Sequence, residues 1–275
     1  MRTAEWIQIV FASLLALAAW VAPLCWRRRA KVTLFALIVF VVTLAVRLFT
    51  HFLSASSSAE LSDWVPAALF LLPYWQTGQF FTAPSANAEK KLAAFDRKLL
   101  KVLVPQGPRA LSKGFAAFFE IAYLTVYPLV PLGLALLYIA GMRRYADYFW
   151  TAVLLPTYLC YAVTPFVPAL PPRLSSIVGS LPAIPNTAAR RFNAWIVGNA
   201  SIHAITFPSA HVASSVAVAL VLLRLTPLAG AIFVFLTIAI AFACVLGGYH
   251  YAADVLAGAV LALVLFAITY HSTGM

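Results

Sequence analysis

The segment Gly247–Asp254, GGYHYAAD, places a histidine and a carboxylate four residues apart where an apolar run begins. This spacing puts His250 and Asp254 on one face of a helix. A carboxylate that holds one imidazole nitrogen fixes the tautomer and leaves the other nitrogen as a nucleophile. Gly248 lets the backbone approach a ligand closely. The segment therefore predicts nucleophilic catalysis, although an ordinary histidine–aspartate pair at a helix start has the same spacing.

A second segment, Phe207–His211, reads FPSAH and also precedes an apolar helix. Ser209 is suited to cap that helix, whose free N–H groups and positive dipole end favour an anion. His211, in the first turn, can reach a phosphate bound there. The alternative is a capped helix with a histidine at the membrane surface.

A third segment, Pro165–Arg173, reads PFVPALPPR. Its prolines stiffen the chain and hold Arg173, whose guanidinium is well shaped to bind phosphate. A plain arginine at the membrane surface is the other interpretation. The segment opens a long predicted loop, Phe166–Pro208, which also carries Arg190 and Arg191.

The composition determines what kind of chain must position these residues. Hydrophobic residues make up 63% of the 275 and charged residues only 10%, too few to cover a water-facing surface. This balance excludes a soluble domain, a disordered chain and a soluble nucleic-acid-binding protein. Because the net charge is +11, the predicted partners are the bilayer and an anionic phospholipid or lipid phosphate.

Eight apolar runs are predicted to be membrane-spanning helices, which makes the chain an all-α integral membrane protein built as a polytopic bundle. The third run is interrupted by Pro73 and Gln76, and Ala55–Asp63 before it is predicted to be a polar loop. The eight runs are Trp6–Trp26, Val32–Leu53, Trp64–Phe81, Phe115–Ala140, Tyr148–Pro165, His211–Leu223, Leu228–Leu246 and Asp254–Tyr270. Counting these crossings places the three motif segments on one side of the membrane.

Residues 84–114 contain seven of the nineteen basic residues. Apolar side chains recur there at steps of three and four, which predicts an amphipathic helix in the headgroup plane; a solvated connecting helix is the alternative. The apolar positions are Leu92, Phe95, Leu99 and Leu103.

The trio FxPALPPR, FPSAH and YHYAAD resembles the three signature motifs of the type 2 phosphatidic-acid phosphatase superfamily, over roughly residues 64–270. The resemblance is closest to the branch containing inositol-phosphorylceramide synthases. It implies a six-helix catalytic core within residues 64–275, preceded by two helices in residues 1–63. It also implies that His250 is the nucleophile, that Asp254 orients it and that His211 protonates the leaving oxygen. Arg173 and the Ser209 turn would bind the phosphate.

The chain departs from the wider superfamily at two cation positions, where it has Phe166 and Cys244. Arg190 or Arg191 could replace a missing charge from the loop. Because a phosphodiester carries one negative charge and a monoester close to two, these losses favour headgroup transfer from a diester over hydrolysis of a monoester. Lipid monoester phosphatase activity is the alternative.

Neither a metal nor another cofactor is expected, since only His250 and Asp254 are closely paired ligand types and there is no HExxH motif or cysteine cluster. Two other classes compete: a haem protein with His211 and His250 as axial ligands, and a transporter or non-catalytic lipid-binding scaffold. The resemblance implies a site on the outer or lumenal face. In contrast, fourteen basic residues on the site's side against four on the other favour the cytoplasm.

Overall fold

A computed structural model of the chain describes residues 1–103, 112–178 and 184–272, and in those ranges it contains helices and no strand. Arg109 and the rest of residues 104–111, within the predicted basic segment, lie outside the described residues. The α-helices are α1 (Thr3–Val21), α2 (Trp26–Thr50), α3 (Ala55–Leu69), α4 (Leu72–Gly78), α5 (Ala86–Leu103), α6 (Lys113–Ile139), α7 (Ala146–Val163), α8 (Ala188–Ala200), α9 (Ala210–Leu225), α10 (Pro227–Leu246) and α11 (Ala252–Ser272).

Six of the described helices are long and apolar enough to cross a membrane, namely α1, α2, α6, α7, α10 and α11. Helix α9 is apolar but shorter, with 16 residues. The protein is therefore an all-helical, multi-pass membrane protein, which confirms the fold class predicted from composition.

The apolar run Trp64–Phe81, predicted as a span interrupted by Pro73 and Gln76, is divided between two helices, and the polar loop predicted at Ala55–Asp63 is wrong because that segment is helical. Helix α3 already begins at Ala55, because the Ser54 hydroxyl accepts a hydrogen bond from the Ser57 N–H. It ends at Leu69, and α4 follows with Pro73 at its start, where a proline cannot continue a preceding helix.

The pair α3–α4 still connects the two ends of the bundle. Asp63 in α3 forms ion pairs with Arg2 and Arg143 at one end. At the other end the Trp75 indole in α4 donates a hydrogen bond to the Ala200 carbonyl oxygen. We call this second end, where α9 and α11 also begin, the site end.

Helix α9 occupies the centre of the bundle, packed against α6, α7, α10 and α11. Its small side chains allow close approach of the neighbouring helices, and most of them are buried. A helix packed on several sides is well supported, and so are the side chains of its first turn.

The prediction of a long loop at Phe166–Pro208 is also partly wrong, since this segment contains helix α8. The Thr187 hydroxyl caps α8 by accepting from the Arg190 N–H. Asn193 is buried against α6, while Phe192 and Trp195 are exposed. Packing against α6 thus stabilises a helix within a segment whose prolines suggested irregular structure.

Candidate active site

His250 lies in the bend between α10 and α11. Gly248 has a φ of +69°, a left-handed conformation that favours glycine. The turn allows the N–H groups of Tyr249 and His250 to donate to the Cys244 carbonyl oxygen, each at 2.9 Å. The backbone of the predicted nucleophile is therefore fixed, and its side chain is only 4% exposed.

The predicted pairing of His250 with Asp254 is present in the structure. His250 Nδ1 lies 3.3 Å from Asp254 Oδ2, which also accepts a hydrogen bond from the Tyr251 N–H at 3.0 Å. Because a carboxylate only accepts, the ring proton of His250 lies on Nδ1 and Nε2 carries a lone pair. Burial, together with the Arg173 cation, lowers the pKa of His250 to about 3. The imidazole is thus neutral at physiological pH, as a nucleophile must be.

His211 projects from the first turn of α9 towards the same ring. Its Nδ1 lies 3.2 Å from His250 Nε2, the nitrogen that Asp254 leaves free. The three side chains consequently form a row in the order Asp254, His250, His211. Such a row can pass a phosphoryl group to His250 and a proton to or from His211.

The starts of α9 and α11 are in direct contact, which explains this short distance. The Ser209 N–H donates to the Asp254 carbonyl oxygen at 2.9 Å. A Cβ on Gly258 would lie 2.4 Å from the Ser209 carbonyl oxygen, so only glycine fits there. Ser209 itself is fully buried, and its hydroxyl accepts from the Val212 N–H at 3.4 Å. The structure therefore places Ser209 as a helix cap beneath the site.

Arg173 lines the same cavity as His211 and His250, and its cation acts on the His250 ring. Its guanidinium lies 4.7 Å from the centroid of the Tyr249 ring, and its backbone N–H donates to the Gly248 carbonyl oxygen at 3.1 Å. Among the residues that the structure describes, no carboxylate lies within ion-pair distance of Arg173. Its charge is thus available to a bound anion.

A cavity of about 290 Å³ opens beside these residues. Arg173, His211 and His250 line one part of it, and most of the remaining wall is apolar or aromatic. The wall comes from α3, α4, α6, α7, α8 and α9, and it includes Phe70, Tyr74, Val126, Val130, Trp150 and Ile196. Two of its lining residues, Trp150 and Tyr161, are 11 residues apart on α7, which is about 16 Å along a helix axis. An anion site thus joins a deep apolar chamber.

Helix α5 holds two of the three motif segments through acidic residues that sequence reasoning missed. Glu89 accepts hydrogen bonds from the Leu170 N–H at 3.1 Å and from the Ser175 hydroxyl. Asp96 accepts from the Ala252 N–H at 3.0 Å, at the start of α11. Glu89 and Asp96 are seven residues apart, or about two helical turns, so they lie on one face of α5. This spacing in the sequence could have indicated that the two acids act together.

The buried face of α5 differs from the predicted apolar stripe. Leu92 and Ala93 are buried together with Glu89, whereas Phe95 is 44% exposed. The inward face therefore follows the acids that bind the motif loops. The position of this basic helix relative to the headgroups stays a prediction.

Arg190 and Arg191 are not brought to the histidine row. Arg190 pairs with Glu120 at 2.6 Å, and Arg191 is exposed on α8. At the two positions where the wider superfamily has cations, Phe166 is 83% exposed and Cys244 is fully buried. In the described part of the chain, Arg173 is the one lysine or arginine that lines the cavity.

Comparison with known proteins agrees with this geometry. A family model described as the PAP2 superfamily matches residues 90–268, a range that contains the whole histidine row and Arg173. No curated protein and no solved structure matched. Since the family model covers well over half of the chain, the protein belongs to the PAP2 superfamily.

Proposed function

We propose that this protein cleaves a phosphate ester of a lipid by transferring its phosphoryl or phospho-headgroup group to His250 Nε2. One observation carries the proposal: the two histidines of the row Asp254–His250–His211 line an apolar cavity together with the Arg173 guanidinium, which forms no ion pair with any carboxylate in the described ranges. Membership of the PAP2 superfamily supports a function of the lipid phosphatase type.

In the first step a bond forms between Nε2 of His250 and phosphorus, while the ester P–O bond breaks. His211 protonates the departing oxygen, and Asp254 stabilises the positive charge that develops on the His250 ring. Arg173 neutralises charge on the phosphoryl oxygens. In the second step an acceptor hydroxyl, from water or a lipid alcohol, loses its proton to His211 and attacks phosphorus, and the N–P bond breaks. This sequence needs no metal.

The substrate we favour is a phosphodiester phospholipid, with headgroup transfer to a lipid alcohol, as in the inositol-phosphorylceramide synthase branch that the motifs resemble. Arg173 is the single lysine or arginine among the described cavity residues, and Arg190 is already paired with Glu120. One guanidinium matches the single charge of a diester better than the two of a monoester. The apolar cavity accommodates hydrocarbon next to that charge.

The test is turnover by purified protein on labelled diester phospholipids and on diacylglycerol phosphate, with and without a lipid alcohol. We expect transfer from a diester, unchanged by EDTA and inhibited by vanadate, which adopts the five-coordinate geometry of the transition state. His250→Ala should abolish turnover, while His51→Ala, an exposed histidine at the opposite end, should not. Headgroup binding without turnover would instead identify a non-catalytic lipid-binding protein. Loss of activity on chelation, restored by a divalent ion, would contradict the mechanism.

We also propose that the site faces the outer or lumenal side, as the motif resemblance implies. The chain offers a natural probe: Cys25 is exposed at the site end, next to Arg28, which donates to the Gln79 and Phe81 carbonyl oxygens. The other two cysteines are buried. A membrane-impermeant maleimide should label Cys25 in intact cells or sealed lumen-out vesicles. Labelling only after permeabilisation would place the site in the cytoplasm.

A further inference from the structure

Glu120 is a carboxylate buried at the site end of α6, with 3% of its surface exposed. It accepts hydrogen bonds at 2.6 Å from three donors: the Arg190 guanidinium, the Asn193 amide and the Tyr249 hydroxyl. Burying a carboxylate is unfavourable unless such donors surround it. Three donors, two from α8 and one from the bend before α11, therefore stabilise the buried Glu120 carboxylate.

The Tyr249 ring connects this carboxylate to the anion site. It stacks on Tyr123 with 3.9 Å between ring centroids and 13° between ring planes. Because Tyr123 covers one face of the ring, the Arg173 guanidinium lies over the other face, at 4.7 Å. A guanidinium over a tyrosine face at this distance is a cation–π contact. The ring thus supports the guanidinium on the face that Tyr123 leaves open.

We propose that Glu120 is a positioning residue for Arg173. Through the Tyr249 hydroxyl it fixes the ring on which the guanidinium rests, and through Arg190 and Asn193 it joins that ring to α8. Helix α8 also lines the cavity through Ile196 and Val197, so one carboxylate links the cavity wall to the anion site.

The charges in this network explain why Arg190 lies away from the histidine row. An unneutralised Glu120 carboxylate, linked to Arg173 through the Tyr249 ring, would repel a phosphate. The ion pair with Arg190 cancels that charge, so Glu120 can hold Tyr249 without opposing the anion. Arg190 therefore serves the anion site indirectly.

The proposal depends on an anion binding at Arg173, as in the proposed function, and it is tested by Tyr249→Phe and Glu120→Gln. Tyr249→Phe keeps the ring but loses the hydroxyl. The matched control is Tyr138→Phe at the opposite end of α6, where a tyrosine hydroxyl also donates to a buried carboxylate, that of Asp63. Each protein is purified in detergent, and the vanadate concentration that gives half of the maximal thermal stabilisation is measured beside kcat/KM.

For Tyr249→Phe we expect that vanadate concentration to rise severalfold and by at most about tenfold, because the lost hydrogen bond is to Glu120 and affects vanadate only through the placement of Arg173. kcat/KM should fall in parallel. Tyr138→Phe should lower the thermal stability alone. In an Arg173→Ala background, Tyr249→Phe should have no further effect on vanadate, since the two changes then act through the same guanidinium.

Equal vanadate affinity in wild type and Tyr249→Phe would overturn the positioning role, as would additive effects of Tyr249→Phe and Arg173→Ala. Because vanadate binding is measured without turnover, these outcomes are separable from failure of the proposed function. That failure would appear as a wild-type protein that binds vanadate but turns over no lipid phosphate. In Glu120→Gln, the amide oxygen should preserve part of the Tyr249 contact and give a smaller loss than Glu120→Ala.

Discussion

His211 Nδ1 lies 3.2 Å from His250 Nε2, the nitrogen to which phosphorus would bond. The proton donor and the nucleophile therefore face the same small volume. His211 acts in both steps, so we predict that His211→Ala still captures the phosphoryl group of an ester whose leaving group departs without protonation, but releases it slowly because the acceptor hydroxyl then lacks a base. A covalent phosphohistidine should then accumulate.

The measurement is acid-labile, base-stable label on His250 after incubation with a lipid labelled in its phosphate. The wild type and His51→Ala should show little steady-state label, and His250→Ala should show none. Turnover by His211→Ala at the wild-type rate would remove His211 from the mechanism.

Asp254→Asn tests the charge of the carboxylate separately from its shape. The amide has nearly the same volume, but it cannot stabilise an imidazolium and it permits the wrong tautomer of His250. We expect kcat to fall by about 100-fold or more, within the range of general acid–base effects. The melting temperature should change much less. A variant that keeps most of its kcat would show that the carboxylate has only a structural role.

The third prediction concerns the pH dependence of stability through Asp96. Partial burial raises the pKa of Asp96 to about 6, an effect opposed by the N–H groups of Ala252 and Ala253 and reinforced by the Asp254 carboxylate. A pKa raised in the folded state contributes stability at low pH, which is lost as the pH rises from the usual carboxyl value of about 4 through 6.

Asp96→Asn cannot titrate, so the melting temperature of the wild type relative to this variant should fall between pH about 4 and about 6. Glu60→Gln, an exposed carboxylate at the opposite end, is the control and should leave that dependence unchanged. Parallel melting curves of wild type and Asp96→Asn across this range would refute the assignment. Asp96→Ala lacks any acceptor for the Ala252 N–H, so its free energy of unfolding should be about 1 kcal/mol lower than that of Asp96→Asn.

The fourth prediction concerns the preference for a diester over a monoester. Phe166 occupies a cation position of the wider superfamily and is 83% exposed, so a lysine can replace it without disturbing the core. Phe166→Lys should raise kcat/KM for diacylglycerol phosphate relative to a diester by about two- to fivefold, because a charge at so exposed a position is partly screened by solvent. Cys244→Arg is the poorer test, since an arginine there would have to displace packed side chains.

The comparison is the ratio of kcat/KM for the two lipids in each variant, with Phe166→Leu as the uncharged control. If the wild type already prefers the monoester strongly and ignores lipid alcohols, it is a phosphatase, and the charge argument for transfer is wrong.

Short-range patterns in the sequence were sufficient to nominate the central residues. The four-residue spacing of His250 and Asp254 predicts that both lie on one helix face, whatever surrounds that helix. Counting the apolar runs predicted that His211 and Arg173 lie on the same side of the membrane. The composition alone predicted a helical membrane protein. These inferences depend on helix periodicity and on the length needed to cross a bilayer, which are local properties of the chain.

The partners of those residues were decided only by the tertiary structure. Glu120 accepts a hydrogen bond from Tyr249, 129 residues later in the chain, and Asp96 accepts one from Ala252, 156 residues later. Helix α8 likewise depends on its packing against α6, where Asn193 donates to Glu120. Periodicity shows which residues share a face of a helix, but not which other face covers it. That choice is made when helices pack, because a buried carboxylate is stable only where several donors from distant segments converge on it.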